Sequence, residues 1–313
     1  MKIYENRWKF YLLSLAIMAF GIIMLFVNGI KLDIQFKGGA VISYTFDGEL
    51  DFSAVDSIVT ETLGRDVEVQ ETISNISEEE GSKTIKKLVL NLAGNEGLST
   101  EDQIALDAAL REAYPDANFA HAGSNVVKPF VGARFFRNSI RALILAGILM
   151  IIYVWYSFRK VSGLSAGVMS FVALLHDVAL VFFVFIIFNI PLNDSFIAVA
   201  LTILGYSIND TIVIFDRIRE NKRLYGSKMP IEQLVNKSIT QSITRSVNTS
   251  ITTVAVTIII FIFAVIFDIE SIKTFALPMV FGLVSGCYST IFLAGPLWTS
   301  WQKYKTKGKA KTA

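Results

Sequence analysis

The chain has 313 residues, 53% of them hydrophobic and 18% charged, with a formal net charge of +2. A mean hydropathy of +0.52 is rare for a soluble domain of this length and points to a membrane protein. The single cysteine, Cys287, excludes an intrachain disulfide and a zinc site built on cysteines; it is expected only to pack.

Six windows are long enough to cross a bilayer, which takes about 20 apolar residues. The first, 10–27, follows Lys2, Arg7 and Lys9. That order resembles a cleavable signal, but the run is long and no A-x-A site stands before "NGIKLDI". Residues 1–29 therefore read as a cytoplasmic end and an uncleaved span.

Residues 30–138 read as a small folded domain. "AVISYTF" reads as a strand. "DFSAVDSIVTETLG" carries a helical stripe at Phe52, Val55, Ile58, Val59 and Leu63, opened by Asp51 or Ser53 and stopped by Gly64. "DVEVQETI" alternates like a strand, "SEEEGSK" reads as a turn, and "IKKLVLNL" as a third strand. "STEDQIALDAALREAYP" opens with a capping box, Ser99-x-x-Asp102 or Thr100-x-x-Gln103, and carries Ile104, Leu106, Ala108 and Leu110. "ANFAHAGSNVV" supplies a fourth strand. The order βαββαβ predicts a ferredoxin-like α+β domain, a fold that by itself names no function. The domain holds 18 acidic and 10 basic residues, which argues against nucleic acid as a partner.

The bundle, residues 139–298, contains the other spans: 140–158, 164–188, 196–215, 251–267 and 275–298. Arg141 opens the second and can snorkel to the interface. Basic residues set the topology. They gather at the N-terminus, at Arg159 and Lys160, in the loop 216–245, and in the lysine-rich tail 299–313; the short loops at "NIPLND" and "DIESIK" hold only Lys273. Both termini are therefore expected in the cytoplasm and residues 30–138 outside it. The tail is expected to touch lipid headgroups.

Ionisable residues inside the spans carry the functional signal. "FVALLHDVALVFF" places His176 and Asp177 mid-span, and "LTILGYSINDTIVIF" places Asn209 and Asp210 in the cytoplasmic half of the fourth span. At 1.5 Å per residue Asp210 lies about 9 Å from Asp216. A lipid-facing carboxylate costs about 2.5–3.5 kcal/mol or more, so such residues turn inward and mark ion or proton paths. The competing reading is a structural carboxylate held by Ser207, Asn209 and a neighbouring helix. A lone His often serves only a helix–helix hydrogen bond, and His176 and Asp177, as i and i+1, point apart on a helix. Arg245 is the candidate cation, in "NKSITQSITRSVNTSITTVAV"; Arg245, Thr249 and Thr252 share a face and could form a wet seam opposite Asp210. The alternative is a cytoplasmic anchor. Gly282-x-x-x-Gly286, Gly163-x-x-x-Gly167 and Gly205 are assigned to close helix packing.

"GYSINDTIVIFDRIREN" at 205–221 closely resembles the signature of the SecF family, the membrane subunits of bacterial SecDF export complexes. "LLHDVALV", "SITRSVNTSITT" and "LDIQFKGGAVISY" are similar to further family motifs; in the last, Ile34-Gln35-Phe36-Lys37 and Ala40 depart from the usual I-D-F-x-G-G-T pattern. The resemblance covers essentially the whole chain. It implies six transmembrane helices in an RND-type bundle, in the bacterial plasma membrane. It implies SecD as partner, work beside the SecYEG channel on a translocating preprotein, and use of the proton motive force. Asp210 and Arg245 match the family's membrane carboxylate and arginine by motif position; Asn209, Asp177 and His176 complete the candidate proton pathway. No cofactor is implied, and sodium remains open as the coupling ion. No nucleophile, metal cluster or phosphate loop appears, so no enzyme active site is expected. The rival readings are a proton-coupled half-transporter of lipids or small molecules and a non-coupling scaffold of the channel.

Overall fold

The computed structural model describes residues 2–33, 36, 39–64, 67–78, 81–93, 99–127, 129–158, 163–267 and 269–312. Six of its helices are long and apolar enough to cross a membrane. They are α1 (Arg7–Asn28), α4 (Pro129–Ser157), α5 (Gly163–Ile187), α6 (Asp194–Tyr225), α7 (Ile231–Ile266) and the run formed by α8 (Glu270–Ser289), a π-helical segment (Thr290–Ala294) and α9 (Gly295–Thr312). The long uninterrupted helices α6 and α7 extend the expected spans by several turns into the basic loop, so residues 216–245 are almost entirely helical.

Between α1 and α4 lies the outer domain: β1 (Gly39–Phe46), α2 (Phe52–Leu63), β2 (Val67–Glu78), β3 (Gly81–Ala93), α3 (Thr100–Ala113) and β4 (Ala120–Val127). The sheet order β2-β3-β1-β4, with every neighbouring pair antiparallel, is the ferredoxin-like arrangement. Alternation turns Ala40, Ile42, Tyr44 and Phe46 of β1 and Leu88, Leu90 and Leu92 of β3 onto the helices, where Val55, Val59, Leu106 and Leu110 meet them. Asp51 caps α2 by accepting from Ser53 N and Ala54 N, and Gly64 ends it in the left-handed region at φ 60°. Ser99 caps α3. Ile104 and Ala108 are exposed: with Leu106 and Leu110 they alternate at period two, whereas the helix buries Leu106 and Leu110 four apart. Strand β2 runs to Glu78 and β3 starts at Gly81, so strand replaces most of the expected turn; Glu79 and Glu80 lie outside the described residues.

In the bundle, α5, α6 and α8 are the central helices, while α1, α4 and α7 turn most of their surface outward. Small residues allow close approach. A Cβ on Gly282 would meet Ile203 at 2.7 Å and Val181 at 2.8 Å, one on Gly286 would meet Ser207 at 3.2 Å, and one on Gly167 would meet Ile151 O at 3.2 Å. At the end of α4 away from the α+β domain, Trp298 and Phe215 pack edge to face at 5.7 Å, and Phe158 completes the cluster at 5.9 Å from Phe215. At the outer end, residues 31–33 pair with Leu192 through Leu192 N→Lys31 O (2.8 Å) and Asp33 N→Leu192 O (3.0 Å). Phe36 is buried there against Phe135 and Phe136.

Candidate functional site

Asp210 lies on the inward face of α6 and is 4% exposed. Its Oδ2 is buried without a hydrogen-bond partner. The residues acting on it come from α7: the Arg245 guanidinium supplies the nearby positive charge and Ser246 the nearby hydroxyl. Ser246 Oγ is itself buried without a completed hydrogen bond. From α8, Cys287 lies within the electrostatic reach of Asp210 and beside Ser250. The structural reading in which Ser207 and Asn209 hold Asp210 does not match this geometry. Ser207 bonds elsewhere, and Asn209 is exposed on another face of α6.

The wet seam also differs from its sequence expectation. Arg245, Thr249 and Thr252 are exposed, with the threonine hydroxyls returned to backbone carbonyls one turn back: Thr249 Oγ1→Arg245 O at 2.9 Å and Thr252 Oγ1→Asn248 O at 3.1 Å. The buried stripe of α7 is Ser238, Ser242, Ser246 and Ser250, spaced by four. Four residues make slightly more than one turn, so the line drifts by about 40° per step around the helix; at its start Asn221 of α6 donates to Ser238 Oγ at 2.8 Å. Tyr206 OH meets Ser250 Oγ at 3.3 Å in this seam. Arg245 is exposed, as are Thr202, Gly205 and Asn209 of α6. Gly205 touches nothing within 4 Å of a built Cβ, so within this chain it does not serve helix packing.

Asp177, on α5, forms a second centre. It is 0% exposed. Ser285 Oγ donates to Oδ1 at 2.6 Å; Ser289 Oγ (2.6 Å) and Ser207 Oγ (2.9 Å) donate to Oδ2. His176 Nδ1 reaches Oδ1 at 3.2 Å, so these neighbours touch despite diverging on the helix. His176 Nε2 is buried without a partner, and its ring stands 6.3 Å from Tyr288, which donates to Phe10 O of α1 at 2.8 Å. Sequence reasoning missed Ser285 and Ser289. Their spacing by four around Gly286, facing a span with a buried acid, was the available signal.

The family model described as "Protein export membrane protein SecD/SecF, C-terminal" matches residues 106–304. The protein translocase subunit SecF of Sebaldella termitidis is 31% identical over 310 residues, covering 99% of this chain and 94% of the relative. That of Thermobaculum terrenum is 34% identical, covering 95% and 92%. The Bacillus subtilis SecDF is 32% identical over 97% of this chain, which spans 38% of that longer protein. The crystal structure of Thermus thermophilus SecDF aligns with a TM-score of 0.78 at 26% identity, covering 97% of this chain and 39% of that one. The family model covers more than half of the chain and the Sebaldella relative 99% of it, and this chain belongs to the SecD/SecF family of protein-export membrane proteins.

Proposed function

We propose that this chain is the SecF subunit of a SecDF-type translocase, drawing on the proton motive force to assist protein export across the plasma membrane. One observation carries the coupling: a carboxyl group buried in the bundle, with an oxygen that lacks a completed hydrogen bond, lies within the electrostatic reach of the fixed positive charge on Arg245. Arg245 cannot give up its proton, so it stabilises Asp210 as an anion. A proton arriving from outside neutralises the carboxyl, weakens its attraction to Arg245 and lets α6 and α7 repack. Release to the cytoplasm restores the pair. Each charge crossing the field supplies about 2.3 kcal/mol per 100 mV, enough to bias a two-state element more than tenfold.

A SecD-like subunit is the proposed cover for the outer faces of α6 and α7. Thr202, Gly205 and Asn209 with Arg245, Asn248 and Thr252 would otherwise place polar groups against lipid. The smooth surface at Gly205 permits close approach of another helix. SecYEG is the proposed neighbour of the assembly. The outer domain, with β2 and β4 at its sheet edges, is the proposed holder of the emerging preprotein by strand addition.

The test is Asp210→Asn in the reconstituted complex. Coupling predicts loss of the gradient-dependent part of export with normal assembly. A scaffold predicts export at the wild-type level. Removing sodium at fixed pH leaves export unchanged if the proton is the ion, and abolishes it if sodium is.

A further inference from the structure

We propose that Asp177 is a positioning residue: a buried carboxylate, gripped by serine hydroxyls from two other helices, that fixes α6 against α8 and so sets where Asp210 stands. This rests on Asp210 being the coupling group. The case is geometric. An ionised carboxyl offers about four acceptor positions, and Asp177 fills them with Ser207, Ser285, Ser289 and the His176 ring. Asp210 contrasts with it: its Oδ2 has no completed hydrogen bond, and Ser246 is the hydroxyl that acts on its carboxyl. A group that must take up and release a proton needs such a vacancy; a group that must hold helices in register needs its acceptors filled.

The grip falls where the helices come closest. A Cβ on Gly286 would meet Ser207 at 3.2 Å, and one on Gly282, a turn earlier, would meet Ile203 at 2.7 Å. Ser207 is one turn before Asp210 on α6, so fixing its hydroxyl fixes the depth and rotation of Asp210. Immediately after Ser289 the helix becomes π-helical over Thr290–Ala294. A π segment interrupts the regular i→i−4 ladder and is a recurrent place for a functional bend. Thr290 Oγ1 reaches Ser207 O at 3.4 Å and Thr211 Oγ1 at 3.2 Å, so α6 is also tied across this segment. The arrangement is a clamp on one side of the π segment, with Asp210 one turn from the clamp.

The chain carries its own reporter. Cys287, the sole cysteine, sits on α8 between Ser285 and Ser289. It borders a cleft of about 320 Å³ between α7 and α8 that Val247, Ile251 and Val284 also line. Hydrogen bonds to a charged group are each worth about 1.5–3 kcal/mol, so breaking the clamp should raise transient opening about tenfold or more. The experiment uses the full reconstituted complex with three variants, Asp177→Asn, Ser285→Ala/Ser289→Ala and Asp210→Asn. Two readouts are taken: alkylation of Cys287 by a membrane-permeant maleimide, and the infrared carbonyl stretch of protonated Asp210, assigned as the band that Asp210→Asn removes. The clamp predicts that both clamp variants speed alkylation about tenfold and shift the Asp210 band without removing it. Asp210→Asn serves to assign the band, and its alkylation rate is not the reference, because Asp210 lies within the electrostatic reach of Cys287. The proposal is overturned if Asp177→Asn removes a second protonated-carboxyl band, which makes Asp177 a carrier. It is equally overturned if neither clamp variant changes alkylation or the band. Should Asp210→Asn keep full gradient-driven export, the coupling reading fails, and the alkylation rates still decide whether Asp177 clamps α6 to α8.

Discussion

Asp177 and Asp210 sit on neighbouring central helices and are both buried, yet their surroundings differ: three serines donate to Asp177, whereas Asp210 Oδ2 has no completed hydrogen bond. Removing donors from a satisfied buried carboxylate leaves an exposed penalty. Ser289→Ala should therefore cost about 1–3 kcal/mol of bundle stability, read from thermal unfolding in detergent; no loss would mean that the serine at 2.6 Å contributes only proximity. Gly282→Leu tests packing at the same interface. Its Cβ alone would lie 2.7 Å from Ile203, and overpacking predicts a loss of about 1–3 kcal/mol. Gly205→Leu, where space is open, should leave the stability of the isolated chain unchanged but reduce copurification with a SecD-like partner. In the outer domain, burial pushes the Tyr44 hydroxyl up from its usual 10, and the hydrogen bond and charge of Asp107 add to the effect. The folded state thus holds this proton more tightly than the unfolded chain does. The stability gained is complete below about pH 10 and is lost as pH rises through the folded-state value. Alkaline unfolding of the outer domain should accordingly be less steep in Tyr44→Phe than in the wild type.

At the scale of elements, α7 shows how far a sequence can be read and where it stops. Its dense hydroxyls correctly predict hydrogen bonds returned to the backbone. The face was harder. Arg245, Thr249 and Thr252 look like an inward seam because polar residues usually avoid lipid, but the buried line is Ser242, Ser246 and Ser250. Both faces of the helix are polar, so periodicity could not choose between them. A helix with two polar faces fits a subunit whose second face is covered by another chain. The outer domain was legible almost strand by strand, since alternation, Asp51, Gly64 and Ser99 all mark their own elements. Asp177 was legible as a buried acid, but its partners were not, because Ser207 and Ser289 are 30 and 112 residues away in sequence.

At the scale of the molecule, two bodies are joined by short connections at the outer end of the bundle. Phe36, near the start of the outer domain, is buried between Phe135 and Phe136 at the start of α4 and the outer ends of the central helices. Both chain connections to the domain thus meet at one aromatic contact, which can transmit repacking of α6 outward. Truncation to Ala at such a site costs about 3–5 kcal/mol of packing. Phe36→Ala should therefore weaken gradient-driven export while Asp210 remains titratable by infrared spectroscopy; unchanged export would locate the transmission elsewhere.

The central claim is that Asp210 converts the transmembrane gradient into work on an exported chain. Its most direct test is the rate of export by the reconstituted complex at a series of imposed membrane potentials, comparing wild type with Asp210→Asn at equal amounts of assembled complex. The account predicts a rate that climbs with potential in the wild type and a flat line in the variant. A variant that climbs with the same slope would contradict it.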